Sequence, residues 1–100
     1  MPAARLVVDF WVKPGRFNDV IEAAKMLKKI GDRLGAHVRA SRVRVGDPTH
    51  IYVVAEWADI AAWAKGQSDP ELVALVEGIR NNANPPYETI TVTMLEDIPL

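Results

Sequence analysis

One hundred residues suit one domain and leave no room for two of ordinary size. An apolar share of 49% with 25% charged residues excludes a disordered chain, and 12 basic against 13 acidic residues lack the cationic excess that non-specific nucleic-acid binding requires. Cysteine is absent, which removes disulfides, thiolate nucleophiles and Cys-type zinc sites.

With only His37 and His50 available, a histidine metal centre would need several carboxylates to complete it, so neither a metal nor a cofactor is expected. No apolar run reaches the length of a membrane span, and Met1–Asp9 lacks the order of a signal peptide. The expected location is cytoplasmic, with no membrane partner.

The chain opens on a strand: Leu6, Val8, Phe10 and Val12 alternate with Arg5, Val7, Asp9 and Trp11 until Pro14-Gly15 breaks the pattern. From Arg16 the period becomes helical. Phe17, Val20, Ile21, Ala24, Leu27 and Leu34 share one side, and Gly35 stands where a helix C-terminus favours positive φ. In the next strand Val38 and Ala40 share one phase and Val43 and Val45 the other. A β-bulge near Ser41-Arg42 would reconcile them, setting Arg39 opposite Glu56 and Arg44 opposite Tyr52 across a turn at Gly46-Asp47-Pro48-Thr49. Ile51, Val53, Ala55 and Trp57 then define one face of a third strand. Asp59 reads as the cap of a short helix that Gly66 stops, and Ser68-Asp69-Pro70-Glu71 as the start of another with Leu72, Leu75, Val76 and Ile79 inward. Asn81–Pro86 is a loop on composition. A final strand, Tyr87–Glu96, separates Ile90, Val92 and Met94 from Thr89, Thr91 and Thr93.

Helices join all successive strands except the hairpin pair. The reading is a single α+β domain over residues 1–100, ferredoxin-like β-α-β-β-α-α-β, with a four-stranded antiparallel sheet in spatial order 4-1-3-2. The face of Leu6, Val8, Phe10, Val12, Val38, Ala40, Val43, Ile51, Val53, Ala55, Ile90 and Val92 lies under the helices. The other face carries Val7, Asp9, Trp11, Arg39, Arg42, Arg44, Tyr52, Val54 and Glu56. Charges on that face suit water. Trp11, Tyr52, Val54 and Val7 together form an apolar patch that suits a second copy of the chain related by a two-fold axis.

The strand ending in Lys13-Pro14-Gly15-Arg16-Phe17, the hairpin from Arg42-Val-Arg-Val-Gly46 to Val53-Val-Ala-Glu-Trp57, and the split helical region before the last strand resemble the dimeric α/β-barrel superfamily, with its antibiotic-biosynthesis-monooxygenase-like and NIPSNAP-like domains. The resemblance covers nearly the whole chain. It implies a homodimer closed through the sheet faces and a small organic ligand held between sheet and helices. It also implies, for one branch, cofactor-independent oxygenation of a small organic substrate.

The pocket candidates are Trp57, Trp63, Asn81, Asp9, His37 and His50, each with a plainer role beside it. Trp57 points to the helix side, where core packing is the plainer role, and core packing is also the plainer role for Trp63 near the start of its helix. His37 and His50 suit surface positions, though an imidazole at either could act as a base near neutral pH. Asp9 can be an interior acid or the partner of a nearby arginine. No residue is assigned a catalytic role. Two other ferredoxin-like functions fit poorly: strand three lacks the glycine and aromatic pattern of an RNA-recognition domain, and Lys13-Pro14-Gly15-Arg16 only faintly echoes an acylphosphatase anion loop. The alternative to a ligand-binding or catalytic dimer is a non-catalytic regulatory or protein-interaction module of the same fold.

Overall fold

A computed structural model describes residues 2–100, in the order β1 (Ala4–Val12), α1 (Phe17–Arg33), β2 (His37–Arg42), β3 (His50–Trp57), α2 (Ile60–Gln67), α3 (Pro70–Arg80) and β4 (Tyr87–Glu96). All strands pair antiparallel in the spatial order β2-β3-β1-β4, the ferredoxin-like arrangement that the element order implies. β1 is therefore hydrogen-bonded on both edges. Its strict alternation turns Leu6, Val8, Phe10 and Val12 under the helices, where all four are buried.

α1 lays Val20, Ala24, Leu27 and Ile30 on that face, and Gly31 lets the helix approach β2. A Cβ on Gly31 would stand 2.4 Å from Cγ2 of buried Val38. The helix ends in a Schellman arrangement: Gly35, at φ +80, donates to the Asp32 carbonyl and Ala36 to that of Gly31 (3.2 and 2.8 Å). Asp59 caps α2 by accepting from Ala62 N–H (2.8 Å), and Asp69 caps α3 by accepting from Glu71 and Leu72, with Pro70 in the first turn. Gly66 does not stop α2. It lies inside the helix with the Trp57 ring beneath it, since a Cβ there would meet Cζ2 at 2.9 Å.

The β2–β3 hairpin departs from the expected register. Val38 pairs with Ala55, Ala40 with Val53 and Arg42 with Ile51, without a bulge. The strands end early instead. A last backbone bond joins Val43 N–H to the His50 carbonyl (3.0 Å), and the connection then leaves the sheet, held by Asp47 accepting from Thr49 (2.8 Å from N–H, 2.6 Å from Oγ1). Pro48 has no N–H with which to continue a ladder. Val43 and Val45 consequently leave the core: both are exposed. Arg42, in phase with Val38 and Ala40, falls on the helix side and sets its guanidinium 4.9 Å over the Phe17 ring. Across the strands His37 opposes Glu56 and Ser41 opposes Tyr52, while Arg39, opposite Val54, reaches Glu56 only diagonally at 3.9 Å.

The sheet does contain a bulge, but in β4. Trp11 faces Thr89 while Val12 faces Tyr87, so Glu88 is an extra residue. Tyr87 would otherwise point away from the helices, in phase with Thr89. The bulge turns it inward, where it is buried with its ring 5.8 Å from Phe10.

Gly78 and Gly31 predict opposite responses. An added Cβ at Gly78 of α3 meets nothing within 4 Å, so Gly78→Ala is expected to stabilise the fold by roughly 0.5–1 kcal/mol through helix propensity. Gly31→Ala should destabilise it by about 1–3 kcal/mol, because Val38 must move within a packed core. Urea denaturation of both variants measures the contrast; equal and small effects would contradict this packing.

Candidate functional site

α1 and α3 run side by side in opposite directions. Arg33 near the end of α1 donates to Asp69 (2.8 Å) and Glu71 (3.0 Å) at the start of α3, and Arg16 before α1 donates to the Asn84 carbonyl (3.4 Å) beyond the end of α3. Between these tethers the helices stay apart over small side chains. Ala23 on one and Ala74 and Gly78 on the other border a cleft of about 710 Å³. Phe10, Ile30, Leu75, Ile79 and Tyr87 supply its carbon-rich floor and walls, and Met26, half exposed, leans over its opening.

The polar groups of the cleft lie around its edge. Asp19 accepts from Arg16, Glu71 from Arg33, and Glu22 from Lys25 (3.2 Å); Lys29 and Asn82 complete the rim. Tyr87 donates its hydroxyl to the Ile79 carbonyl, and burial raises its phenol above the ordinary range. Tyr87 is thus a neutral donor at physiological pH that ties β4 to α3 beside the cleft.

A second polar cluster occupies the open face of the sheet. His50 Nε2 lies 3.0 Å from Asp9 Oδ1, the His50 ring stacks on Trp11 with centroids 4.2 Å apart, and Thr91 donates to Asp9 at 3.5 Å. The register explains the meeting: Trp11 is the β1 partner of His50, and Asp9 is two residues along the same face of β1. Arg5, further along, holds Glu56 of β3 and Asp97 beyond β4.

The six pocket candidates therefore divide. Asp9 and His50 come together on the open face. His37 lies exposed on edge strand β2, opposite Glu56. Trp57 is core, 1% exposed, and Trp63 packs partly buried against that core. Asn81 caps the C-terminal end of α3, next to the rim residue Asn82. None of the six borders the α1–α3 cleft. Of the four face residues, Trp11 is 37% exposed, Val7 and Tyr52 are half-buried, and Val54, between Val7 and Arg39, is already covered.

Among the cleft residues that sequence reasoning missed are Ala23, Met26, Lys29, Ala74, Gly78 and Tyr87. A phase signal did exist for Tyr87, which is out of step with Ile90 and Val92 along β4. Among the described residues no group of three His, Asp or Glu side chains is arranged to hold a metal ion, and no helix is long and apolar enough to cross a membrane.

No protein-family model matches the chain, and no curated protein does. Solved structures share its fold over nearly their whole length. One is an antibiotic biosynthesis monooxygenase, with 19% identity and TM-score 0.65 over 96% of this chain and 99% of that one. Another is SnoaB from Streptomyces nogalater, described as a cofactor-independent oxygenase, with 14% identity and TM-score 0.61 over 93% and 90%. A dabb family protein with a ferredoxin-like fold from Mesorhizobium loti has 23% identity and TM-score 0.65 over 100% and 99%. These likenesses are in fold, and they match the resemblance carried by the sequence.

The tether at the start of α3 predicts a pH response. The hydrogen bond from Arg33 holds the Asp69 carboxyl below its ordinary value, helped by the N–H groups that it caps. A carboxylate with a lowered folded-state value stabilises the fold above its unfolded value, and that contribution is lost as pH falls through the folded one. Asp69→Asn keeps a capping side chain but removes the charge. Thermal melts between about pH 5 and pH 3 should show a shallower loss of stability in the variant than in the native chain. Parallel losses would contradict the tether.

Proposed function

We propose that residues 1–100 form one small-molecule-binding domain that pairs with a second copy through the open sheet face and holds an organic ligand in the α1–α3 cleft. The cleft carries this reading. Its volume of about 710 Å³ lies within the roughly 300–1,000 Å³ of ligand sites, and it joins a carbon-rich interior to a few polar groups at the rim. Support for the pairing comes from the charge on the sheet. Arg5 and Arg39 balance Asp9 and Glu56 around Val7, Trp11 and Tyr52, a self-complementary surface of the kind that two-fold dimers use.

The finer reading is a cofactor-independent monooxygenase acting on a small organic substrate; the Streptomyces nogalater protein of the same fold is described as a cofactor-independent oxygenase. Such chemistry leaves the substrate to supply electrons to oxygen, and the protein to seat it, exclude water and hydrogen-bond it. Asn82 is placed for that at one end of the cleft, where Arg16 and Tyr87 already donate to Asp19 and to the Ile79 carbonyl. A second reading, a regulatory module that holds its ligand without turning it over, rests on a separate observation. Asp19, Glu22 and Glu71 are each engaged by a basic side chain, which leaves no unpaired rim carboxylate as a base.

Native mass spectrometry of the purified protein should reveal a co-purifying small molecule. Gly78→Phe, which fills open space from α3, should lose it while retaining the native circular dichroism; retention of the ligand by the folded variant would refute the cleft as its site. Oxygen uptake with anthrone, a readily oxidised tricyclic probe, separates the two readings: uptake abolished by Gly78→Phe supports the oxygenase, and binding without uptake supports the regulatory module.

For the assembly, light scattering should give a dimer. Trp11→Arg should shift it to monomer with the fold intact, whereas Val53→Asp, which puts a charge into the core, should unfold the domain. A native monomer at micromolar concentration would remove the paired arrangement.

A further inference from the structure

We infer that the cleft selects an elongated, mainly apolar molecule carrying one acidic group at an end, and that Lys29 receives that group; the inference rests on the cleft reading above. The shape argues for length. α1 contributes one helical face from Asp19 to Ile30 and α3 one from Glu71 to Ile79, which at 1.5 Å per residue makes a groove about 12–17 Å long. Its width is the gap between two adjacent helices, opened by Ala23, Ala74 and Gly78. A straight chain fits such a trough along its length.

The charges decide which end is polar. Two cations border the cleft, Arg16 and Lys29. Arg16 is occupied by Asp19 and by the Asn84 carbonyl. Lys29 has no carboxylate partner among the described residues, although the neighbouring Lys25 and Lys28 are paired with Glu22 and Asp32. The rim acids are engaged: Asp19 by Arg16, Glu22 by Lys25, Glu71 by Arg33. The unmatched charge of the cleft is thus one ammonium at the end where α3 begins. A carboxylate, phenolate or enolate at the tip of an apolar body would meet it through a charge-assisted hydrogen bond while the body lies over Met26, Leu75 and Ile79. Burying the apolar body supplies most of the affinity, and the lysine sets the direction of entry.

Dodecanoate and dodecanol, used below micelle-forming concentrations with the fold monitored by circular dichroism, test this directly by calorimetric titration. The native protein should bind dodecanoate about tenfold more tightly than dodecanol, the preference expected of one charge-assisted contact. Lys29→Gln should bring the two affinities together by weakening dodecanoate alone. Lys28→Gln, outside the cleft and paired with Asp32, should retain the preference, and Gly78→Phe should bind neither. Equal binding of acid and alcohol, or a preference that survives Lys29→Gln, overturns the inference while leaving the cleft as a ligand site. Failure of both probes also overturns it, and the cleft reading itself falls only if the native protein brings no co-purified ligand that Gly78→Phe displaces.

Discussion

Everything in this fold depends on β1, one of the two central strands paired on both edges. β1 gives its backbone to β3 and β4 and its even-numbered side chains to the core. A strand in that position has no slack. Slipping it by one residue would bring Asp9 and Trp11 under the helices and put Leu6, Val8 and Phe10 into water. Burying an unpaired carboxylate there would cost several kcal/mol at least, which is why the register is unique. The helices can then be placed with some tolerance, and the cleft exists because they are.

The cleft is a packing outcome of small side chains held between two electrostatic tethers. Where α1 crosses β2, Gly31 permits intimate contact with Val38. Where α1 faces α3, Ala23, Ala74 and Gly78 put no bulk between helices whose ends are held by Arg33 and Arg16. Removing side-chain volume from a helix contact usually brings the helices together. Here the sheet beneath, with Phe10 and Tyr87 in the floor of the gap, holds them apart. The result is a trough with a rigid floor, the form in which a ligand loses least entropy of its host on binding.

The open face of the sheet follows a different logic. Its aromatic and charged groups satisfy one another within the single chain: Trp11 stacks on His50, His50 meets Asp9, and Arg5 holds Glu56 and Asp97. These contacts order side chains in advance of any partner, so that pairing with a second copy would freeze few rotamers. They also draw Asp9 and His50 into one polar cluster on the sheet side opposite the cleft. Any chemistry of the cleft proceeds without them.

Much of this was legible along the chain because it is local. The period of two in Leu6–Val12 marks β1. Asp59, Asp69 with Pro70, and Gly35 mark helix ends through bonds that reach only a few residues, and the order of elements leaves the ferredoxin-like sheet as the natural solution. The hairpin shows where locality fails. Val43 and Val45 are as apolar as Val38 and Ala40, and nothing in their spelling says that the pairing stops at Arg42; that depends on the turn held by Asp47 and Pro48. The same phase test that suggested a bulge at Ser41-Arg42 would have found the real one at Glu88, had it been applied to Tyr87. Fold class and helix caps are thus properties of the sequence alone, since neighbouring residues create them. The cleft was decided only in three dimensions, because Ala23 and Gly78 have no relation until the sheet beneath them brings their helices side by side.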